Sequence, residues 1–134
     1  MTNKESGSGE IRVDDAPGGP IIMKDQIIRI KVDQKSEYTL DNARAVVSIV
    51  DRLREGLRLP LLVDFSDVHF LSRPVREYYS SEEVSQKVSS LAIISSSTIG
   101  KVIGNFFVGI NRPLVPTRFM TNEEEAIAWL KEYL

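Results

Sequence analysis

Between Leu91 and Leu134 the chain reads LAIISSSTIGKVIGNFFVGINRPLVPTRFMTNEEEAIAWLKEYL, and every boundary within it is marked. Ala92–Ile94 is a short apolar run, and the four hydroxyl residues Ser95–Thr98 that follow it can cap a helix. Ile99, Val102, Ile103, Phe106, Phe107 and Ile110 then repeat at helical spacing. Pro113 and Pro116 close that unit, Thr117–Met120 reads as another strand, and Thr121 or Asn122 opens a last helix over Glu123–Tyr133. A strand–helix–strand–helix run restricts the chain to an α/β fold. It names no activity.

Upstream, Ile21–Met23 and Ile27–Val32 flank Lys24-Asp25-Gln26, the pattern of a β-hairpin with a short polar turn. Ile28, Ile30 and Val32 alternate with Arg29 and Lys31, which predicts one buried and one wet face, as in an antiparallel edge pair. Thr39 or Asp41 caps a helix whose stripe is Ala43, Val46, Val47, Val50 and Leu53, with Gly56 ending it. Leu59–Phe65, LPLLVDF, is apolar enough to sit centrally, covered on both faces. From Ser72 the chain turns helical, but the phase of Val75 and Tyr79 does not continue to Val84 and Val88. A capping box starting at Ser80 predicts a break there. Residues 1–19 hold four of the eight glycines and little that can be buried, so they read as a mobile tail, with Glu10–Val13 able to add an edge strand. The domain runs from residue 20 to residue 134. Right-handed crossovers complete a mixed sheet with helices packed on it.

Composition narrows the function classes. At 134 residues, with 42% hydrophobic and 27% charged, the chain suits one domain with a genuine core. A net charge of −2 gives no electrostatic case for nucleic acid. With no cysteine and one histidine, His69, thiolate chemistry and multi-histidine metal sites are both excluded, and no cofactor fingerprint is present. Met1–Gly9 is polar, unlike a secretory signal, and no apolar run approaches the ~20 residues of a membrane span. The expectation is a cytoplasmic protein without an integral membrane segment, and not an enzyme.

The element order, together with the wording LLVDFSDVHFLSRPV, resembles a STAS domain, the fold of bacterial anti-sigma-factor antagonists, or SpoIIAA-like proteins. In that family an apolar strand ending in Asp leads to a helix opening with Asp-Ser-Ser or Asp-Ser-Thr, whose serine takes a phosphate from a partner kinase. Asp64 matches the strand aspartate, and Ser72-Arg73-Pro74 falls where the triplet would be, so Arg73 occupies the acceptor position. The resemblance therefore implies an α/β, SpoIIAA-like mixed sheet with an N-terminal antiparallel hairpin and about four helices, but without the phosphorylatable serine. SRPVREYYSSEE, IGNFFVGINRP and PTRFMTNEEEAIAWL are similar to an uncharacterised STAS-like bacterial branch. Other SpoIIAA-like relatives are linked to lipid carriers, which implies a second reading with an apolar or anionic ligand, possible at a membrane surface.

Two sets of candidate residues follow. Ser96, Ser97, Thr98 and Lys101 lie at a strand-to-helix junction, where unpaired N–H groups attract anions, and Arg73 and Arg76 belong to the same predicted rim. The first glycine of a P-loop is missing and Val102 follows Lys101, which rules out a nucleotide-triphosphate loop. Gly100, Gly104 and Val108 share one side of their helix and with Asn105 form a smooth strip beside Ile99, Ile103 and Phe107, which with the neighbouring Phe106 suits self-association as a homodimer. Asp64 and Asp67 flank Ser66 as an acid pair, with Asp67 expected to bond its own backbone, and His69 is a loop residue with no triad to join. The main expectation is a non-catalytic module that binds a protein partner, including itself.

Overall fold

The computed structural model describes residues 3–5, 9–33, 38–68, 72–95 and 114–134. Its centre is a seven-stranded sheet in strict sequence order: β1 (Asn3–Glu5), β2 (Ile11–Val13), β3 (Ile21–Lys24), β4 (Ile27–Lys31), β5 (Leu59–Asp64), β6 (Val88–Ile94) and β7 (Thr117–Met120). The first three pairings are antiparallel and the last three parallel. The β3–β4 turn is made by Asp25 and Gln26, both at positive φ (54° and 63°), the backbone a two-residue hairpin demands. The mixed α/β sheet with its antiparallel hairpin is the architecture that the sequence resemblance implied.

Four α-helices accompany the sheet among the described residues: α1 (Leu40–Leu53), α2 (Arg73–Tyr79), α3 (Glu82–Ser85) and α4 (Glu123–Leu130), the last running on into a 3-10 turn over Lys131–Tyr133. Strand alternation divides the interior in two. Leu61 and Val63 of β5 and Leu91 and Ile93 of β6 point into the larger core, closed by Val46, Val47 and Val50 of α1, Val75 and Tyr79 of α2 and Val84 of α3. Leu62, Ala92 and Ile94 point the other way and pack under Ala126, Trp129 and Leu130 of α4. The helices expected at Leu40, Ser72 and Glu123 thus cover both faces of β5 and β6, as parallel strands require.

Several local expectations shift. The hairpin is not an edge, because β2 and β1 extend the sheet beyond β3. Val13 is fully buried and Ala16 nearly so, so the strand allowed at Glu10–Val13 contributes core rather than trim. Gly18 and Gly19 follow because the loop runs against β4: a Cβ on Gly19 would lie 2.1 Å from the Lys31 carbonyl oxygen, and one on Gly18 2.8 Å from the Tyr38 ring. The predicted break stands between α2 and α3, but the cap is Ser81, whose side chain accepts from Val84 N–H, while Ser80 Oγ donates to the Glu77 carbonyl. At the end of α1 the C′ position belongs to Glu55 (φ 48°), with Gly56 one residue later. The helix expected over Ile99–Ile110 lies outside the described residues.

Candidate functional site

The four parallel strands end at one edge of the sheet. Lys31, Asp64, Ile94 and Met120 stand side by side there in register. α1, α2 and α4 each start after a strand reaches that edge, where open α/β sheets hold their ligands. Just past β5 the chain bends sharply. Asp64 Oδ1 accepts from the Ser66 N–H at 2.9 Å, so Asp64 rather than Asp67 makes the turn bond, and Asp67 Oδ2 faces Lys31 Nζ at 4.0 Å. The two carboxylates therefore have different partners.

Ser72 is the N-cap of α2 by backbone position, with its carbonyl accepting from Arg76 N–H. The sequence predicts a Ser72 side chain that caps the helix by accepting from Val75 N–H, since Pro74 has no donor, but in the structure that side chain makes no cap bond. Arg73, the first helical residue, points outward with its side chain 68% exposed and gives Nε to Glu77 Oε1 at 2.8 Å. Arg76 is half-buried and already engaged by neighbours. Arg118 lies on β7 two residues short of that edge, with its guanidinium 5.3 Å from the Trp129 ring centre. The remaining candidates, Ser96, Ser97, Thr98, Gly100, Lys101, Gly104, Asn105, Phe106 and Phe107, together with His69, lie outside the described residues. Tyr79, which with Phe106 and Phe107 would be needed to line an apolar ligand pocket, is core: it is 4% exposed, and its hydroxyl lies 2.8 Å from that of Tyr38, with the Phe65 ring edge-on to both.

Beside the end of α2, the helices α1, α2 and α3 leave a shallow polar groove of about 240 Å³. Arg44, Ser48 and Asp51 of α1 line it together with Tyr78, Glu83 and Lys87. The Tyr78 hydroxyl bonds Glu83, and the Arg44 guanidinium carbon lies 6.0 Å from the Tyr78 ring centre. Burial of the phenol, then its carboxylate partner, push the Tyr78 pKa up. This groove was not read from the sequence. The signal was available in the residues of α1 opposite its apolar stripe, but nothing local said that α2 would break and bring α3 alongside. Among the described residues, no group of three His, Cys, Asp or Glu side chains is placed to hold a metal, and no helix is long and apolar enough to cross a membrane.

Comparison with known proteins places the chain. A family model described as a domain of unknown function (DUF7793) matches residues 21–134. The chain belongs to this family. No curated protein matches it. A solved protein of unknown function from Arthrobacter sp. FB24 is 31% identical over 83% of this chain and 97% of its own, with a TM-score of 0.31. An uncharacterised DUF3478-family protein from Shewanella loihica PV-4, described as having a SpoIIAA-like fold, is 14% identical, with 96% of this chain and 90% of that chain covered and a TM-score of 0.48. Within the DUF7793 boundaries fall both the Arg73 helix start and the α1–α3 groove.

Proposed function

We propose that this DUF7793 chain is a non-catalytic, STAS-like interaction module that docks a protein partner, including a second copy of itself, and has no phosphorylatable serine switch. The observation that carries the reading is the surface of α1, α2 and α3, where an open groove combines Arg44, the half-buried Tyr78 and charges of both signs. Arginine and tyrosine at a shallow, hydrogen-bonding surface are what protein interfaces favour. Arg73 supports the absence of the switch, because a guanidinium stands at the first residue of α2 where the resemblance puts the acceptor hydroxyl. Tyr79 supports a partner over an apolar ligand, because it is spent in the core.

Sedimentation of the purified chain tests the self-association. The expected result is a dimer whose dissociation constant rises about tenfold or more, roughly 1.4 kcal/mol, in Tyr78→Ala. A monomer at high micromolar concentration removes the self-association. Stoichiometric phosphate on Ser72 in cells, with binding lost in Ser72→Asp, removes the unswitched reading.

A further inference from the structure

On the opposite side of the sheet, α4 covers Leu62, Ala92 and Ile94. Between its first residue, Glu123, and strands β3 and β4 lies a cavity of about 240 Å³. Arg29 stands in it, flanked in register by Ile22 of β3 and Leu62 of β5. The side chain is half-buried, its Nε is shut off from solvent without a hydrogen-bond partner, and among the described residues no hydrogen bond or ion pair engages it. A guanidinium carries five donors in a planar fork, and leaving the buried Nε–H without an acceptor is costly. Glu10, Asp64 and Glu123 line the same cavity, yet none closes an ion pair on Arg29. Lys31 stands at the rim, 61% exposed.

We propose that this cavity binds a small zwitterion of the α-amino-acid class, its carboxylate on Arg29 and its ammonium between Asp64 and Glu123. Charge complementarity selects the class. A bare anion would satisfy Arg29 but face three carboxylates, and a bare cation would satisfy those but face Arg29 and Lys31. A ligand carrying both signs a few ångströms apart meets both demands, and a carboxylate matches the arginine fork bidentately. The volume lies below the roughly 300–1,000 Å³ of drug-sized sites, which sets the ligand's size, while Ile22 and Leu62 offer an apolar wall to a short side chain. This face is turned away from α1, α2 and α3, so the inference stands or falls apart from the partner surface.

The full chain is titrated with individual α-amino acids, with acetate and propionate as carboxylate-only probes and methylamine as the ammonium-only probe. A small amino acid is expected to raise Tm by about 3–8 °C near saturation and to shift the Arg29 Nε–Hε NMR resonance, while the single-charge probes do neither at equal concentration. Arg29→Met and Glu123→Gln are each expected to weaken the response at least tenfold. Glu123 is exposed, so Glu123→Gln decides the matter should Arg29→Met fail to fold. No response to any amino acid overturns the proposal, as does an equal response to acetate or an undiminished one in Glu123→Gln.

Discussion

Tyr38 and Tyr79 sit 41 residues apart in sequence and share a hydrogen bond inside the larger core, at 7% and 4% exposure. Burial pushes the Tyr38 pKa up to about 12, with the bond to Tyr79 pulling the other way, and burial also raises Tyr79. The unfolded chain loses these protons near the ordinary value of about 10. Stability from the pair is therefore whole below about pH 10 and is lost as pH climbs from there through about 12, because in that window the folded state holds protons the unfolded state has released. Urea midpoints measured across that range are expected to fall steeply, and the fall is expected to shrink in Tyr38→Phe/Tyr79→Phe. Tyr79→Phe alone strips a buried hydroxyl of its partner and is expected to cost about 1–3 kcal/mol, part of which the double variant recovers; strictly additive losses would show that the hydroxyls do not couple. Gly19 supplies a second test. Its φ of 150° and the Lys31 carbonyl at 2.1 Å from any added Cβ predict a loss of about 3 kcal/mol or more in Gly19→Ala. Gly56→Ala, at φ 80° with open space around it, is expected to lose roughly 1 kcal/mol. Equal losses at the two positions would remove the steric account. Neither residue pair was legible beforehand, since glycines in a polar stretch look like linker until the strand they press against is known.

At the level of elements, caps separate what is local from what is not. Thr39 Oγ1 accepts from Asn42 N–H at 3.1 Å, and Asn42 Oδ1 accepts from Thr39 N–H at 2.9 Å, a closed capping box on α1. Thr39→Ala is expected to lower stability by about 1 kcal/mol, whereas Ser72→Ala, whose hydroxyl makes no cap bond, is expected to change it by less than about 0.5 kcal/mol. Chemical denaturation resolves the difference, and equal costs would mean that Ser72 caps in solution after all. The hairpin, α1, β5, the α2–α3 break and α4 were all readable, because each is written in the spacing of its own side chains. The apolar stripe of α1 needs only Ala43, Val46, Val47, Val50 and Leu53 to be seen. Arg29 was misread for the opposite reason. Alternation in β4 marks it as wet, but its surroundings depend also on β5 and α4, which lie far from it in sequence.

For the molecule as a whole, the family boundary and the physical boundary differ. The family model begins at residue 21, but Val13 and Ala16 are part of the larger core and β2 pairs with β3. A chain cut at that boundary is expected to lose several degrees of Tm relative to the full chain, because it removes buried side chains and leaves β3 with unpaired N–H and C=O groups. An unchanged Tm would mean that β2 adds nothing to the fold. The sheet's strand order carries a consequence of another kind. Each described strand lies beside the one before it in sequence, so none of these has to be inserted between two that are already paired. Sheet growth can then follow the chain as it is synthesised, with the antiparallel pairings closed over short separations before the crossovers that β5, β6 and β7 require. At every moment of translation, the edge that is open on the carboxyl-terminal side is the one the ribosome is about to cover.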